Sequence, residues 1–220
     1  MAAGDSSGSE AVALRTRVAE YLKAHHTMTL ATLGAPPVAG PAAGAVVPAE
    51  VVADTEARAG VAPRAGVSGA ADWAAFSGPS GPFQPPVPHA ASVFYAVDDK
   101  LRLVFLSKTS SLHGEHIGGR ASVAVTVTES YDDWEKIRGV QMWGEARLLT
   151  GAAKAGALAL YVSRFPFVRD IIKRPSMAEL MRGMGVYRVE PARVAFTDNL
   201  TGVFGREVLD LRPGRVAGGG

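Results

Sequence analysis

Apolar and polar positions alternate with a period of two along several short stretches, and repeat at helical spacing along only a few. Strand periodicity is clearest in Ala91–Val97, Leu101–Ser107 and Ala121–Thr128. Asp98-Asp99 marks a tight turn between the first two. Between the second and third, Lys108-Thr109-Ser110-Ser111-Leu112-His113 opens a helix of one to two turns. Upstream, Met28–Leu33 alternates as a short strand, preceded by a helix from Glu10 to about His25. Ser9 is that helix's expected N-cap, and Val12, Leu14, Val18, Tyr21 and Leu22 form its apolar face. Downstream, Glu129–Lys136 is a polar loop and Ile137–Leu149 a long strand broken by Gly144. Ala152–Arg164 reads as a helix stopped by Pro166, with Leu158, Leu160 and Tyr161 apolar. Val168–Lys173 and Ser176–Met184 read as short helices, and Val186–Val189, Arg193–Thr197 and Glu207–Leu211 as closing strands.

About seven strands and four helices, with strands joined mainly by short turns, predict a mainly β (α+β) domain. The expected form is an antiparallel barrel with peripheral helices. Residues 34–87 interrupt it. This stretch holds most of the chain's 14 prolines and much alanine, without a sustained period. It reads as a low-complexity insertion, or as a lid whose Trp73, Phe76 and Phe83 would cover a ligand. The domain is expected over residues 10–211, with loose tails at 1–9 and 212–220.

Composition narrows the chemistry. The chain has 220 residues, 47% of them hydrophobic, enough for one sizeable core. Net charge is +2 without a Lys/Arg block or basic stripe, which argues against nucleic-acid binding. There is no cysteine, which excludes disulfides, thiolate metal sites and a cysteine nucleophile. The N-terminus lacks a signal-peptide pattern, and no apolar run approaches the roughly 20 residues of a membrane helix. A cytoplasmic, soluble protein is expected.

Ser107, Lys108, Thr109, Ser110, Ser111 and His113 gather hydroxyls, a cation and an imidazole where a strand ends, chemistry suited to a phosphate. A plain helix cap is the structural alternative. His113 and His116 share one helical face but lack a third ligand of clear geometry, so no metal site is expected. His89 precedes a strand, where it lines a cleft or fills a sheet edge. Asp98-Asp99, Asp132-Asp133 and Asp198 read as turn residues. Nucleophile-elbow, P-loop and dinucleotide fingerprints are missing, so any chemistry would belong to a bound cofactor.

Met28–Leu33, Pro88-His89-Ala90-Ala91-Ser92-Val93-Phe94-Tyr95, Leu101–Ser107 with Ser111-x-His113, and Ala121–Thr128 together resemble the pyridoxamine 5'-phosphate oxidase-like split β-barrel superfamily. The C-terminal half resembles a small uncharacterised bacterial subfamily. It does so through Arg138-Gly139-Val140-Gln141-Met142-Trp143-Gly144-Glu145-Ala146-Arg147, Tyr161-x-x-Arg164-Phe165-Pro166 and Phe196-Thr197-Asp198-Asn199 with Phe204-Gly205. The resemblance implies an FMN-binding homodimer and a flavin-dependent oxidoreductase of unknown substrate. The alternative is a non-catalytic split-barrel binding protein, with haem, a deazaflavin or no cofactor in place of FMN.

Carried over residue by residue, the resemblance puts Ser92 and Val93 at the isoalloxazine edge. It puts Ser107, Lys108, Ser111 and His113 on the phosphate. Gln141 falls near the ribityl chain or ring, in preference to Arg138, which has the opposite strand parity. The superfamily's oxidases bear an Arg-Lys pair where this chain has Leu112-His113. A lost charged phosphate contact of roughly 1.5–3 kcal/mol implies weaker FMN binding, and pyridoxamine oxidation is not expected.

Overall fold

The computed structural model describes residues 3–35, 86–173, 183–202 and 205–212. The chain divides into two units, residues 1–34 with 87–220 and residues 35–86. The expected lid aromatics Trp73, Phe76 and Phe83 lie outside the described residues, as does nearly all of the expected Ser176–Met184 helix.

The first unit begins with α1 (Ala3–Ala24), which lays Leu14, Val18, Tyr21 and Leu22 into the core. Ser9 lies within this helix rather than capping it. Seven strands follow: β1 (Thr27–Gly34), β2 (Val87–Val97), β3 (Leu103–Lys108), β4 (Arg120–Thr128), β5 (Arg138–Leu148), β6 (Met184–Asp198) and β7 (Arg206–Asp210). Among the described residues, three more α-helices lie between them, α2 (Leu112–Ile117), α3 (Gly151–Arg164) and α4 (Pro166–Lys173), with a 3-10 turn at Trp134–Lys136. All pairings are antiparallel, in the order β3-β2-β1-β4-β5-β6-β7. A further β3–β6 pairing closes six strands into a barrel, with β7 on its flank. The fold is the split β-barrel with peripheral helices that the sequence resemblance implied. No described helix is long and apolar enough to cross a membrane.

Side-chain alternation fills the barrel. Met28 and Leu30, Leu103 and Phe105, Val123, Val125 and Val127, Val140 and Met142, and Tyr187 and Val189 all point inward. The outer face of β3 is covered as well. Val104 and Leu106 pack with Ala96 and Val186 under Ala157 and Tyr161 of α3, Val168 of α4 and Phe165 between the two helices. The expected helix Ala152–Arg164 is thus an outer cover, and Pro166 opens α4 rather than only ending α3.

Three differences from the expected elements have local causes. Leu101 belongs to the β2–β3 turn and not to a strand. Asp98 Oδ1 accepts the amides of Lys100 (2.9 Å) and Arg102 (3.0 Å), and Leu101 takes a φ of +61° while its side chain is fully buried. An apolar residue plugging the core from a turn looks, in sequence, like the start of a strand. Gly144 does not break β5 but marks a register shift against β6. A Cβ there would sit 2.1 Å from the Glu190 carbonyl oxygen, so only glycine allows that approach. Finally, Val186–Val189 and Arg193–Thr197 are one strand, β6, running unbroken past Pro191 opposite the same shift.

Candidate functional site

Strand parity separates the candidate residues into two groups. Leu103, Phe105 and Ser107 share the inner face of β3, so Lys108 falls on the outer side and is exposed. On β2, Val93 packs toward the core while Ser92 is exposed on the outer face. On β5, Val140 and Met142 point inward and Gln141 outward. Ser92, Lys108 and Gln141 are therefore outer-face residues. Val93, Ser107 and His113 lie inside or at the barrel's end, with Ser111 bonded to that second group.

The second group is a hydrogen-bonded chain. His113 Nε2 lies 2.6 Å from Ser107 Oγ, which lies 3.1 Å from Ser111 Oγ. Ser111 caps α2, accepting the Gly114 amide at 3.2 Å, and its hydroxyl donates to the Lys108 carbonyl at 2.7 Å. A hydroxyl has one hydrogen, so Ser107 must donate to Ser111, and His113 must donate from Nε2 to Ser107. Only this polarity satisfies every link, and it places the proton of neutral His113 on Nε2.

Two further imidazoles surround this chain. His89 of β2 stacks beside His113 with centroids 5.8 Å apart, and meets His116 edge-on at 6.1 Å. His116 Nδ1 lies 3.0 Å from Thr32 Oγ1 on β1. Gly34 closes against the His116 ring, where an added Cβ would come within 2.3 Å of Cδ2. Burial, with the neighbouring His89 and His116, lowers the His113 pKa below its usual value. Among the described residues no cluster has the makings of a metal site. The helical spacing of His113 and His116 was readable in the sequence. The arrival of His89 depends on β2 pairing with β1, which no local pattern reveals.

The first group stands on a different surface. Register aligns Ser92 of β2 with Thr29 of β1, Thr29 with Thr126 of β4, and Thr126 with Gln141 of β5. These four hydroxyl or amide side chains form one row across four strands, about 14 Å from end to end. The next row is Ala90, Ala31, Ala124 and Trp143. Gln141 Oε1 accepts from Arg206 Nη2 at 2.7 Å, and the Arg206 guanidinium lies over the Trp143 ring at 5.7 Å. Leu33, Phe94 and Trp143 are exposed on this face. Beyond Tyr95, no β2–β3 pairing occurs among the described residues, so Val87–Phe94 has no strand neighbour on its second edge.

The subfamily motifs meet at the far side of the barrel. Arg138 pairs in register with Asp198, and Arg138 Nε lies 3.2 Å from Asp198 Oδ1. Asp198 is 5% exposed and also has Arg17 Nη2 at 3.8 Å. By sequence Asp198 is expected in a turn. It does accept the Leu200 amide at 3.3 Å, but it is also the buried anion between two guanidiniums. Tyr21 donates to the Arg138 carbonyl at 3.0 Å, and burial raises its hydroxyl pKa well above the usual value.

No family model matches the chain. A UPF0306 protein of Klebsiella pneumoniae is 36% identical over 119 residues, which are 54% of this chain and 73% of that protein. The UPF0306 protein YhbP of Escherichia coli O157:H7 is 33% identical over 123 residues, 56% of this chain and 76% of that protein. Among solved structures, Campylobacter jejuni ChuZ aligns with a TM-score of 0.52 at 8% identity, covering 91% of this chain and 60% of that one. The conserved hypothetical protein Rv2991 of Mycobacterium tuberculosis aligns with a TM-score of 0.50 at 18% identity, covering 93% and 91%. These two likenesses speak to the fold, while the relatives' identity and coverage speak to descent. The chain belongs to the UPF0306 protein family, built on a split β-barrel.

Proposed function

We propose that this UPF0306 protein binds FMN on the outer face of β1, β2, β4 and β5, and acts as a flavin-dependent oxidoreductase in the form of a homodimer. The observation that supports the reading is the flat row Ser92, Thr29, Thr126 and Gln141, beside a row of alanines. Small side chains leave room for a planar ring, and hydroxyls and an amide suit its polar edge. Arg206 engages Gln141 Oε1, which turns the Gln141 amide NH₂ into the available donor. Ser92 would act through its hydroxyl, whereas Val93 suits the ring less well, since its side chain faces the core and its amide and carbonyl are directed at Met28 of β1.

Lys108 is the cation for the phosphate. It shares the outer parity of Ser92 and ends β3, the strand that pairs with β2 as far as Tyr95 opposite Phe105. The Ser107, Ser111 and His113 side chains suit this role less well, because their hydrogen bonds are already directed at one another and at Lys108 O. They hold the turn that positions Lys108. When bound, FMN supplies two-electron transfer, and the protein orients it and shields it from water. The same small-residue face, with Leu33, Phe94 and Trp143 exposed on it, is the surface a second copy would cover.

The reading is tested by adding FMN to the purified chain. Changed flavin absorbance and a rise in thermal midpoint at saturating ligand are expected. No spectral change together with an unchanged midpoint would overturn it. A non-catalytic binding role is the second reading, favoured because the face lacks an acid/base pair among the described residues. FMN binding without turnover by NADH or NADPH would select it.

A further inference from the structure

We propose that the cleft between α1, the β2–β3 turn and β6 is a second binding site, which takes a small phosphate monoester through Arg15 and Lys100. The proposal does not depend on the cofactor reading. The turn leads into β3 at Leu103, whereas Lys108 lies at that strand's other end.

The cleft has a volume of about 440 Å³, opens to solvent, and is lined by Arg15, Lys100, Arg102, Glu190, Pro191 and Leu211. That volume suits a small organic ligand rather than a lone ion. Its walls are fixed from behind. Leu14 and Val18 seat α1 on the core, and Arg15 stands between them in sequence. Leu101 plugs the core with a φ of +61°, and Lys100 and Arg102 flank it. Asp98 Oδ1 accepts the amides of both flanking residues, so the turn is held in one shape. The Leu211 amide donates to the Ala192 carbonyl at 2.8 Å, which ties Leu211 to β6.

Charge decides what this cleft can take. Arg102 is neutralised by Asp98, because its Nε donates to Asp98 Oδ2 at 2.6 Å. Glu190 is engaged by Arg188 at 2.6 Å and lies 3.7 Å from Arg147 Nη2. Arg15 and Lys100 have no such partner. Arg15 Nη2 donates to a neutral group, the Asp99 carbonyl, at 3.0 Å. Among the described residues no carboxylate lies within ion-pair distance of Arg15 or Lys100. The Asp99 carboxylate is fully exposed, 3.9 Å from Lys23 Nζ. The Asp99 carbonyl belongs to the peptide group that joins Asp99 to Lys100, so this hydrogen bond sets the Arg15 guanidinium beside Lys100. Two cations therefore meet at a concave surface without a counter-ion from the fold.

A phosphate monoester matches both features of the cleft. It is a dianion above a pKa of about 6, and its three terminal oxygens can meet the Arg15 fork and the Lys100 ammonium together. A carboxylate, with one charge, would leave one cation uncompensated. Pro191 and Leu211 give the organic part of the ester an apolar wall. No aromatic ring is among the described lining residues, so a nucleobase would find no stacking platform. The fitting class is a small ester rather than a nucleotide.

NMR titration of the isotopically labelled full-length protein with phenyl phosphate, at about pH 8, where the probe is a dianion, tests the site. Saturable amide shifts over residues 99–103 and 190–192 are expected, with a Kd of about 1 mM or below. Lys100→Gln and Arg15→Gln should each weaken binding by about tenfold, and benzoate, with the same ring and one charge, should bind about tenfold less tightly than phenyl phosphate. The Lys100 side chain is exposed and holds no partner, so Lys100→Gln keeps the test decisive if Arg15→Gln disturbs the turn. An unchanged affinity in Lys100→Gln would overturn the proposal, as would benzoate binding as tightly as phenyl phosphate. Shifts confined to residues 107–114 would also overturn it, by placing the anion at the other end of β3, and so would the lack of any saturable shift.

Discussion

Arg138 and Asp198 stand directly opposite each other across the β5–β6 ladder, with Arg138 Nε 3.2 Å from Asp198 Oδ1. This is an ion pair rather than an aligned hydrogen bond, since Arg138 Nε has no partner of hydrogen-bond geometry. The guanidiniums of Arg17 and Arg138 both lie over the Phe196 ring, at 5.3 and 5.8 Å. Two sequence motifs that carry the subfamily resemblance thus serve to join strands. Arg138→Ala leaves a buried carboxylate with one weaker partner and should cost about 2 kcal/mol, below the range for fully buried pairs because Arg138 is partly exposed. In urea unfolding, the Arg138→Ala/Asp198→Asn double variant should lose clearly less than the sum of the single losses. Additive losses would show that the pair is not coupled.

Gly144 is set by backbone rather than by chemistry. The Glu190 carbonyl leaves no room for a methyl group, so Gly144→Ala must push β5 and β6 apart at the register shift. A cost of about 1–3 kcal/mol is expected. For a chain of this size that lowers the thermal midpoint by roughly 2–4 °C per kcal/mol. Calorimetry showing an unchanged midpoint would mean that the shift can move along the ladder.

Stability should depend on pH through His113. Its pKa in the fold is lowered by burial, and further by His89 and His116. The unfolded chain therefore binds the proton first as pH falls. The contribution is complete above the unfolded value near 6.5, and is lost as pH drops from there through the lower folded value. His113→Gln should flatten the curve of thermal midpoint against pH between about 7 and 5. A variant curve parallel to the wild-type one would assign the dependence to other groups.

Parity makes a distinction among the cofactor candidates. Lys108→Ala removes a charged contact and should weaken FMN about tenfold or more, and Gln141→Leu should weaken it by a similar factor. Ser107→Ala should change affinity by no more than about threefold, because Ser107 faces the barrel's interior. Fluorescence titration of FMN gives all three values. The reverse order of effects would move the phosphate to the hydroxyl–imidazole chain.

Assembly and cofactor should fail together. Ala124 lies in the outer-face row between Ala31 and Trp143. Ala124→Arg should leave the barrel folded by circular dichroism, convert dimer to monomer in light scattering, and abolish FMN binding. A dimer that persists would place the two-fold interface elsewhere.

The sequence by itself determined the strand-rich, antiparallel character of this chain, because alternation of period two and short polar turns are local facts. Ser92 and Gln141 become candidates only through the family resemblance, while Arg138 is separated from Gln141 by parity, which is local. Side-chain alternation cannot say which strands are neighbours. The row from Ser92 to Gln141, the meeting of His89 with His113 and His116, and the pairing of Arg138 with Asp198 each join residues from two or more separate segments. Only the pairing of distant strands, β2 with β1, β1 with β4, β4 with β5 and β5 with β6, brought them together. Pairing of β3 with β6 also turned Ser107 inward and Lys108 outward, dividing a turn that reads as one polar cluster into two environments.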